Sequence, residues 1–144
     1  MKVSFRVASA HDREFLYDLH GRTMRAVIER TWGWDEVWQR EEFERRLREY
    51  LVSIIEWDGL DAGAIVLESR PDSIYIHEFQ VLPEYQDRGV GAAVLRRVID
   101  QAASRGLAVT LSVLRANPRA QQLYERVGFT VTDVEEPFLH MRYA

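Results

Sequence analysis

Seven residues between a β-prone run and a helical one, Gln86-Asp87-Arg88-Gly89-Val90-Gly91-Ala92, carry the clearest chemistry in this chain. Glycine lacks a Cβ, so a glycine-rich backbone can approach a ligand closely and turn several N–H groups toward it. A helix start adds about half a positive charge, and the combination suits a phosphate or pyrophosphate. The plainer alternative is that Gly89 and Gly91 only permit a tight turn and close helix packing. The residues exclude two familiar phosphate loops. A dinucleotide fingerprint wants Gly or Ala where Val94 stands, and a P-loop needs a Gly-Lys-Ser/Thr that is absent. His77-Glu78 begins like a zinc-binding helix motif. Position 81 is Val, however, and the segment reads as strand, so no metal is expected.

The elements that position this loop follow from periodicity. A short strand spans Val3 to Val7 and is followed by Ser9 and Asp12, a capping-box variant. Phe15, Leu16, Leu19, Ala26 and Val27 share one face of a helix running to about Arg30. Trp32-Gly33-Trp34 interrupts it, and Asp35 is placed to cap a second helix from Glu36 to about Arg48. Strands are expected over Leu51–Trp57, Ala62–Leu67 and Ile74–Leu82, the first two joined at Asp58-Gly59-Leu60-Asp61. A helix from Gly89 to Arg105, a strand from Leu107 to Leu114 and a helix opened by Asn117-Pro118 follow. A closing hairpin pairs Phe129–Val134 with Phe138–Tyr143. The order β-α-α-β-β-β-α-β-α-β-β predicts an α/β (α+β) domain around one mixed sheet of about seven strands with four helices.

Composition narrows the function classes. With 144 residues, one domain spanning 1–144 is expected. A hydrophobic fraction of 47% beside 29% charged residues is that of a folded chain, not a disordered one. The net charge of -4 argues against broad nucleic-acid binding. No cysteine is present, which removes disulfides, thiolate metal sites and a cysteine nucleophile. No apolar run approaches the roughly 20 residues of a membrane span. The start Met1-Lys2-Val3-Ser4-Phe5-Arg6 lacks an apolar signal core, so a cytoplasmic protein is expected.

Gln86-x-x-Gly89-x-Gly91-Ala92 after Val81-Leu82-Pro83 resembles the acetyl-CoA signature of the GNAT superfamily of N-acetyltransferases. Asn117-Pro118-Arg119-Ala120-x-x-Leu123-Tyr124-x-x-Val127-Gly128-Phe129 is similar to that superfamily's second block. The resemblance implies a fold whose strands 74–82 and 107–114 splay apart to admit the pantetheine arm. It implies acetyl-CoA as co-substrate, its pyrophosphate resting on backbone N–H groups from Arg88 through Gly89, Val90 and Gly91 to Ala92. Gln86 matches the loop's Arg-or-Gln position, and Arg88 either adds charge beside the phosphates or is a solvated loop residue. Val81 and Leu82 are similar to positions whose backbone pairs with the pantetheine, as an added strand would. Asn117 matches a pantetheine-contacting position, alongside its plain reading as a helix N-cap.

Tyr124 matches the tyrosine that protonates the leaving thiolate, a role a neutral phenol can fill. The attacking amine must be neutral, so a base has to take its proton. His77 aligns with a family position for this and is the first choice, Glu78 the second, and relay through water alone the third. Neighbours in a strand face opposite ways, so a regular strand presents only one of the two. An oxyanion donor would come from backbone N–H near Phe79 to Val81. Trp32 and Trp34 join the helices that usually cover the acceptor pocket in this superfamily, and they either wall that pocket or cap the core. Arg25 and Glu29 are further acceptor contacts. The expected reaction is direct transfer from acetyl-CoA to a primary amine of a small molecule or peptide, with an acyl-CoA-binding sensor and a purely structural glycine loop as the alternatives. An exposed sheet edge makes a homodimer a further expectation.

Overall fold

A computed structural model describes residues 3–144. The strands are β1 (Val3–Val7), β2 (Val52–Trp57), β3 (Leu60–Ser69), β4 (Ser73–Val81), β5 (Ala108–Leu114), β6 (Thr130–Glu135) and β7 (Phe138–Tyr143). The helices are α1 (Arg13–Thr31), α2 (Glu36–Glu49), α3 (Val90–Ala103) and α4 (Pro118–Val127), with 3-10 turns at Ala10–Asp12 and Pro83–Tyr85. The strands lie in one sheet in the order β1-β2-β3-β4-β5-β7-β6. β4 and β5 run parallel, while β1–β2, β2–β3, β5–β7 and β6–β7 are antiparallel. This is the mixed seven-stranded, four-helix arrangement the element order predicts.

Most boundaries shift from the expected ones by one or two residues, and two of the shifts change the local geometry. The β2–β3 turn is tighter, because β3 already begins at Leu60 and only Asp58-Gly59 remains as the loop. Both residues have positive φ, the two-residue turn that matches strand twist. The first helix also begins later. Ser9 and Asp12 do form the reciprocal capping box, but around the 3-10 turn that precedes α1.

The chain makes two compact units, one of residues up to Val66 with Glu78–Gln86, the other of Leu67–His77 with Asp87–Ala144. In the first, Leu16 and Leu19 of α1 pack on Ile54, Ala64 and Leu82, surrounded by Phe15, Phe43, Leu47, Val52 and Tyr85. That is the apolar stripe the helical period dictates. Arg6 of β1 grips Asp12 with two hydrogen bonds of 2.9 Å and reaches Asp61 at 3.0 Å. β3 passes so close to β4 that a Cβ on Gly63 would stand 2.1 Å from the Gln80 carbonyl oxygen. Only glycine fits there.

In the second unit α3 packs on β5 and α4. Val90, Val94, Leu95 and Val98 of α3 are wholly buried, as are Val109 and Met141 of β5 and β7 to within 1%. The β4–β5 ladder is short. It pairs Ser73–Ile76 with Ala108–Leu111 and ends there, although β4 continues to Val81 and β5 to Leu114. Beyond that point β5 is held by β7, with Ser112 opposite His140 and Leu114 opposite Phe138. β6 lies at the sheet edge, with all six of its residues exposed.

Candidate active site

The glycine loop stands at the start of α3 as the sequence predicts. Gly89 is the N-cap with φ +84°, a left-handed conformation in which its missing Cβ matters, and no side chain caps the helix. The first α3 hydrogen bond to close runs from Ala93 N to Gly89 O at 3.0 Å. The N–H groups of Val90, Gly91 and Ala92 therefore belong to the first turn, which the helix itself leaves without carbonyl partners. Val90 is fully buried, backbone included, whereas Gly91 and Ala92 are half-buried. Asp87 also has positive φ, at 60°, and its carboxylate pairs with Arg119 of α4 at 2.7 Å. Arg88 is exposed. A fourteen-residue helix with no side-chain cap, entered through a left-handed glycine, has the polarity that attracts an anion of phosphate type.

In the other unit, Leu82 buries its side chain in the core and donates its N–H to Ala62 O at 2.8 Å. Backbone groups of successive residues in a strand point to opposite edges, so the Val81 backbone points away from β3. The Gln86 amide there donates to Val81 O at 2.9 Å. Gln86 thus holds the start of the loop back onto the end of β4. Its side chain acts on the protein backbone.

Asn117 caps α4, its Oδ1 accepting from Ala120 N at 3.2 Å. Tyr124 follows on α4 and is 7% exposed, its ring edge-on to Phe129 at 5.8 Å between centroids. Burial pushes the Tyr124 phenol well above its ordinary pKa, so it stays protonated throughout the physiological range.

His77 and Glu78 have different partners, as strand alternation predicts. His77 Nε2 is 2.7 Å from Glu68 Oε1, and its ring sits edge-on to Tyr75 at 4.8 Å. The His77 hydrogen bond, followed by that of Arg70, holds the Glu68 carboxyl below its usual range. Glu78 is ion-paired with Arg46 of α2 and accepts from the Gln80 amide at 3.1 Å.

Three of the residues expected around an acceptor, Arg25, Glu29 and Trp34, form a linked group in the first unit. Arg25 bonds Glu29 at 2.8 Å and stacks 5.0 Å from the Trp34 ring centroid. Trp34 donates its Nε1–H to Glu36 at 2.7 Å and lies against His20 at 5.6 Å between centroids. Trp32, 61% exposed, is no core cap. His20 was not singled out from the sequence. It bonds Gln39 at 2.9 Å, and Gln80 lies 3.4 Å from its other ring nitrogen. Burial lowers the His20 pKa and keeps the ring neutral. Its position four residues after Leu16, on the apolar stripe, was the available signal, together with Gln39 and Gln80, two buried amides that need polar company.

A third group was also missed. Tyr75 Oη donates to Ser112 Oγ at 3.0 Å, Ser112 Oγ is 2.7 Å from His140 Nδ1, and His140 Nε2 is 3.0 Å from Glu135 Oε1. Tyr75 and Ser112 each stand at an alternate, non-core position of its strand, a pattern visible in sequence as polar residues interleaved with Ile and Leu. Among the described residues no group of three or more His, Asp or Glu side chains could hold a metal ion. No helix among them is long and apolar enough to cross a membrane.

A short parallel β4–β5 ladder, a helix entered through glycine with no side-chain cap, and a buried phenol on the next helix lie together in the second unit. The model of the acetyltransferase (GNAT) family matches residues 13–129, and the chain belongs to that family. It is 29% identical over 103 residues, 70% of each chain, to the [ribosomal protein bS18]-alanine N-acetyltransferase of Escherichia coli strain K12. A shorter match, 35% over 57 residues, covers 39% of the chain and 34% of thialysine N-epsilon-acetyltransferase from Bos taurus. Among solved structures, the PaiA N-acetyltransferase of Thermoplasma acidophilum in complex with coenzyme A superposes with a TM-score of 0.78 at 20% identity, covering 99% of this chain and 98% of that one. The protein is an acyltransferase of the N-acetyltransferase type.

Proposed function

We propose that the protein transfers the acetyl group of acetyl-CoA to a primary amine of a small molecule or peptide, by direct attack within a ternary complex. The observation that carries this reading is the uncapped N-terminus of α3 behind left-handed Gly89, followed in the same unit by a Tyr124 phenol that burial keeps protonated. Two relatives support an amine acceptor: one is named for an alanine of a ribosomal protein, the other for the ε-nitrogen of thialysine. The family match runs through residues of both units, which supports one functional domain.

In this reading acetyl-CoA supplies an activated thioester. The first-turn N–H groups of α3 hold its pyrophosphate, with Arg88 adding charge, and the Val81 backbone pairs with its pantetheine. Tyr124 donates a proton to the leaving thiolate. His77, its ring oriented by the Glu68 carboxylate, accepts a proton from the attacking nitrogen. Glu78, already engaged by Arg46 and Gln80, is the second choice for that role. The chain has no cysteine, so no acetyl-cysteine intermediate can form on it. Arg25, Glu29, Trp32 and Trp34 form the acceptor-binding surface, with His20 behind Trp34. The exposed edge β6 is the surface through which two copies would pair, which sedimentation at micromolar concentration checks.

The test is thiol release from acetyl-CoA with an alanine-terminated peptide and with free thialysine, run beside calorimetry with acetyl-CoA. Binding with acceptor-dependent release supports the reading. Binding without release from any primary amine sinks the transferase assignment, and no binding at millimolar acetyl-CoA sinks the cofactor assignment as well.

A further inference from the structure

A primary amine reaches an enzyme mostly as ammonium, and two protons must leave its nitrogen before an amide is formed. One ends on the CoA sulfur, and the other must go to water. We propose that Ser112, with Tyr75, His140 and Glu135, is the exit for that second proton, an inference that rests on the acetyltransferase reading above.

The group has a fixed polarity. Glu135, as a carboxylate, only accepts, so the His140 nitrogen facing it, Nε2, carries the hydrogen. His140 Nδ1 is then a lone pair, and Ser112 Oγ donates to it across 2.7 Å. Tyr75 Oη donates to Ser112 Oγ from the other side at 3.0 Å. The serine oxygen has one lone pair left, oriented by two neighbours and suited to accept from an N–H.

Its place in the fold suits the task. The parallel β4–β5 ladder ends at Ile76 and Leu111, so the next residues are His77 on β4 and Ser112 on β5. From Ser112 the chain of groups leads outward, because the Glu135 side chain is 75% exposed on the edge strand. The charged and titratable groups around His140 are Glu135 and, opposite it in register, Asp133 on β6, Arg142 two residues along its own strand, and Tyr75 of β4 through Ser112. The step balances as follows. An ammonium N–H bond breaks and its proton goes to Ser112 Oγ, while the serine's own proton moves to His140 Nδ1. The imidazolium, stabilised by Glu135, then releases its Nε2 proton to water, and the resulting Nδ1–H ring returns to the Nε2–H tautomer by proton exchange with solvent before the next turnover. No group is oxidised or reduced. Ser112 is the proton-accepting residue, and Tyr75, His140 and Glu135 position it.

The test uses an alanine-terminated peptide as acceptor. At pH 7 most of its amine is ammonium, since an α-amino group titrates near pH 8. Ser112→Ala and His140→Gln should each lower kcat/KM for the peptide about tenfold to a hundredfold there. The deficit should shrink to within about twofold near pH 9, where the free amine dominates. KM for acetyl-CoA should not move, and Ser112→Thr, which keeps a hydroxyl, should restore most of the rate. A deficit equal at both pH values, or no deficit, overturns the proposal, as does mass-spectrometric detection of acetylated Ser112. A second readout needs no turnover. Nitrogen-15 NMR of the wild-type ring should show neutral His140 protonated at Nε2, shifting to a mixture of tautomers in Glu135→Gln. A proton on Nδ1 rejects the relay. Should the wild-type protein bind acetyl-CoA but acetylate no amine, the function has failed, and the ring tautomer still decides the geometry.

Discussion

A phenol can serve a departing thiolate only while it keeps its proton, and the burial of Tyr124 ensures that it does. Tyr124→Phe removes the hydroxyl and little volume. It should lower kcat by about a hundredfold while the Kd for acetyl-CoA, read by calorimetry, stays unchanged. Gly89 should show the reverse pattern. Its φ of +84° strains any side chain although nothing stands near a Cβ there. Gly89→Val should therefore weaken acetyl-CoA binding about tenfold, or ~1.4 kcal/mol, with a smaller effect on turnover at saturation. The glycine loop, Asn117 and Tyr124 were legible because each lies inside a short motif whose local geometry follows from its own residues. The two tryptophans were not. One pattern of aromatic residues beside a helix break is compatible with a core cap and a surface wall, and only the fold shows Trp32 exposed and Trp34 stacked by Arg25.

The elements were the most readable level, since periods of 3.6 and two fix which faces are buried. Period two also foretold that His77 and Glu78 would meet different neighbours. It could not say which, because Glu68 and Arg46 come from other elements, and pairing at long sequence separation leaves no local mark. Gly63 illustrates the same limit: the sequence shows a glycine inside a strand, but the Gln80 carbonyl that requires it lies on β4. Gly63→Ala should cost about 1–3 kcal/mol by overpacking, read as a lower urea midpoint with the m-value unchanged. The junction of β1 with α1 gives a pH-dependent signal. The Arg6 side-chain hydrogen bonds, then the Ser9 backbone N–H, hold the Asp12 carboxyl down to about 2. A lowered carboxylate pKa means the folded state binds fewer protons than the unfolded one, so this contribution is complete above pH 3.8 and lost as pH falls toward 2. Urea midpoints for the wild type should fall across that window more steeply than those for Asp12→Asn.

At the scale of the whole molecule, a ligand that binds only the folded chain should move its unfolding as one event. Acetyl-CoA at a hundred times its Kd adds about 2.7 kcal/mol, enough to raise the melting temperature by several degrees in a single calorimetric transition. Two transitions, with only one of them shifted, would mean that the units unfold separately. The ion pair at the mouth of the loop bears on how tightly such a ligand is held. Asp87 and Arg119 are both largely exposed, so their mutual attraction is worth at most about 1 kcal/mol and fades with salt. The Asp87 carboxylate also places a negative charge within the glycine loop, which opposes an anionic ligand bound there. Replacing it with an uncharged side chain of the same shape, Asp87→Asn, keeps a residue type that tolerates positive φ. The variant should bind acetyl-CoA more tightly than the natural chain at low ionic strength, and the two should converge as salt is added.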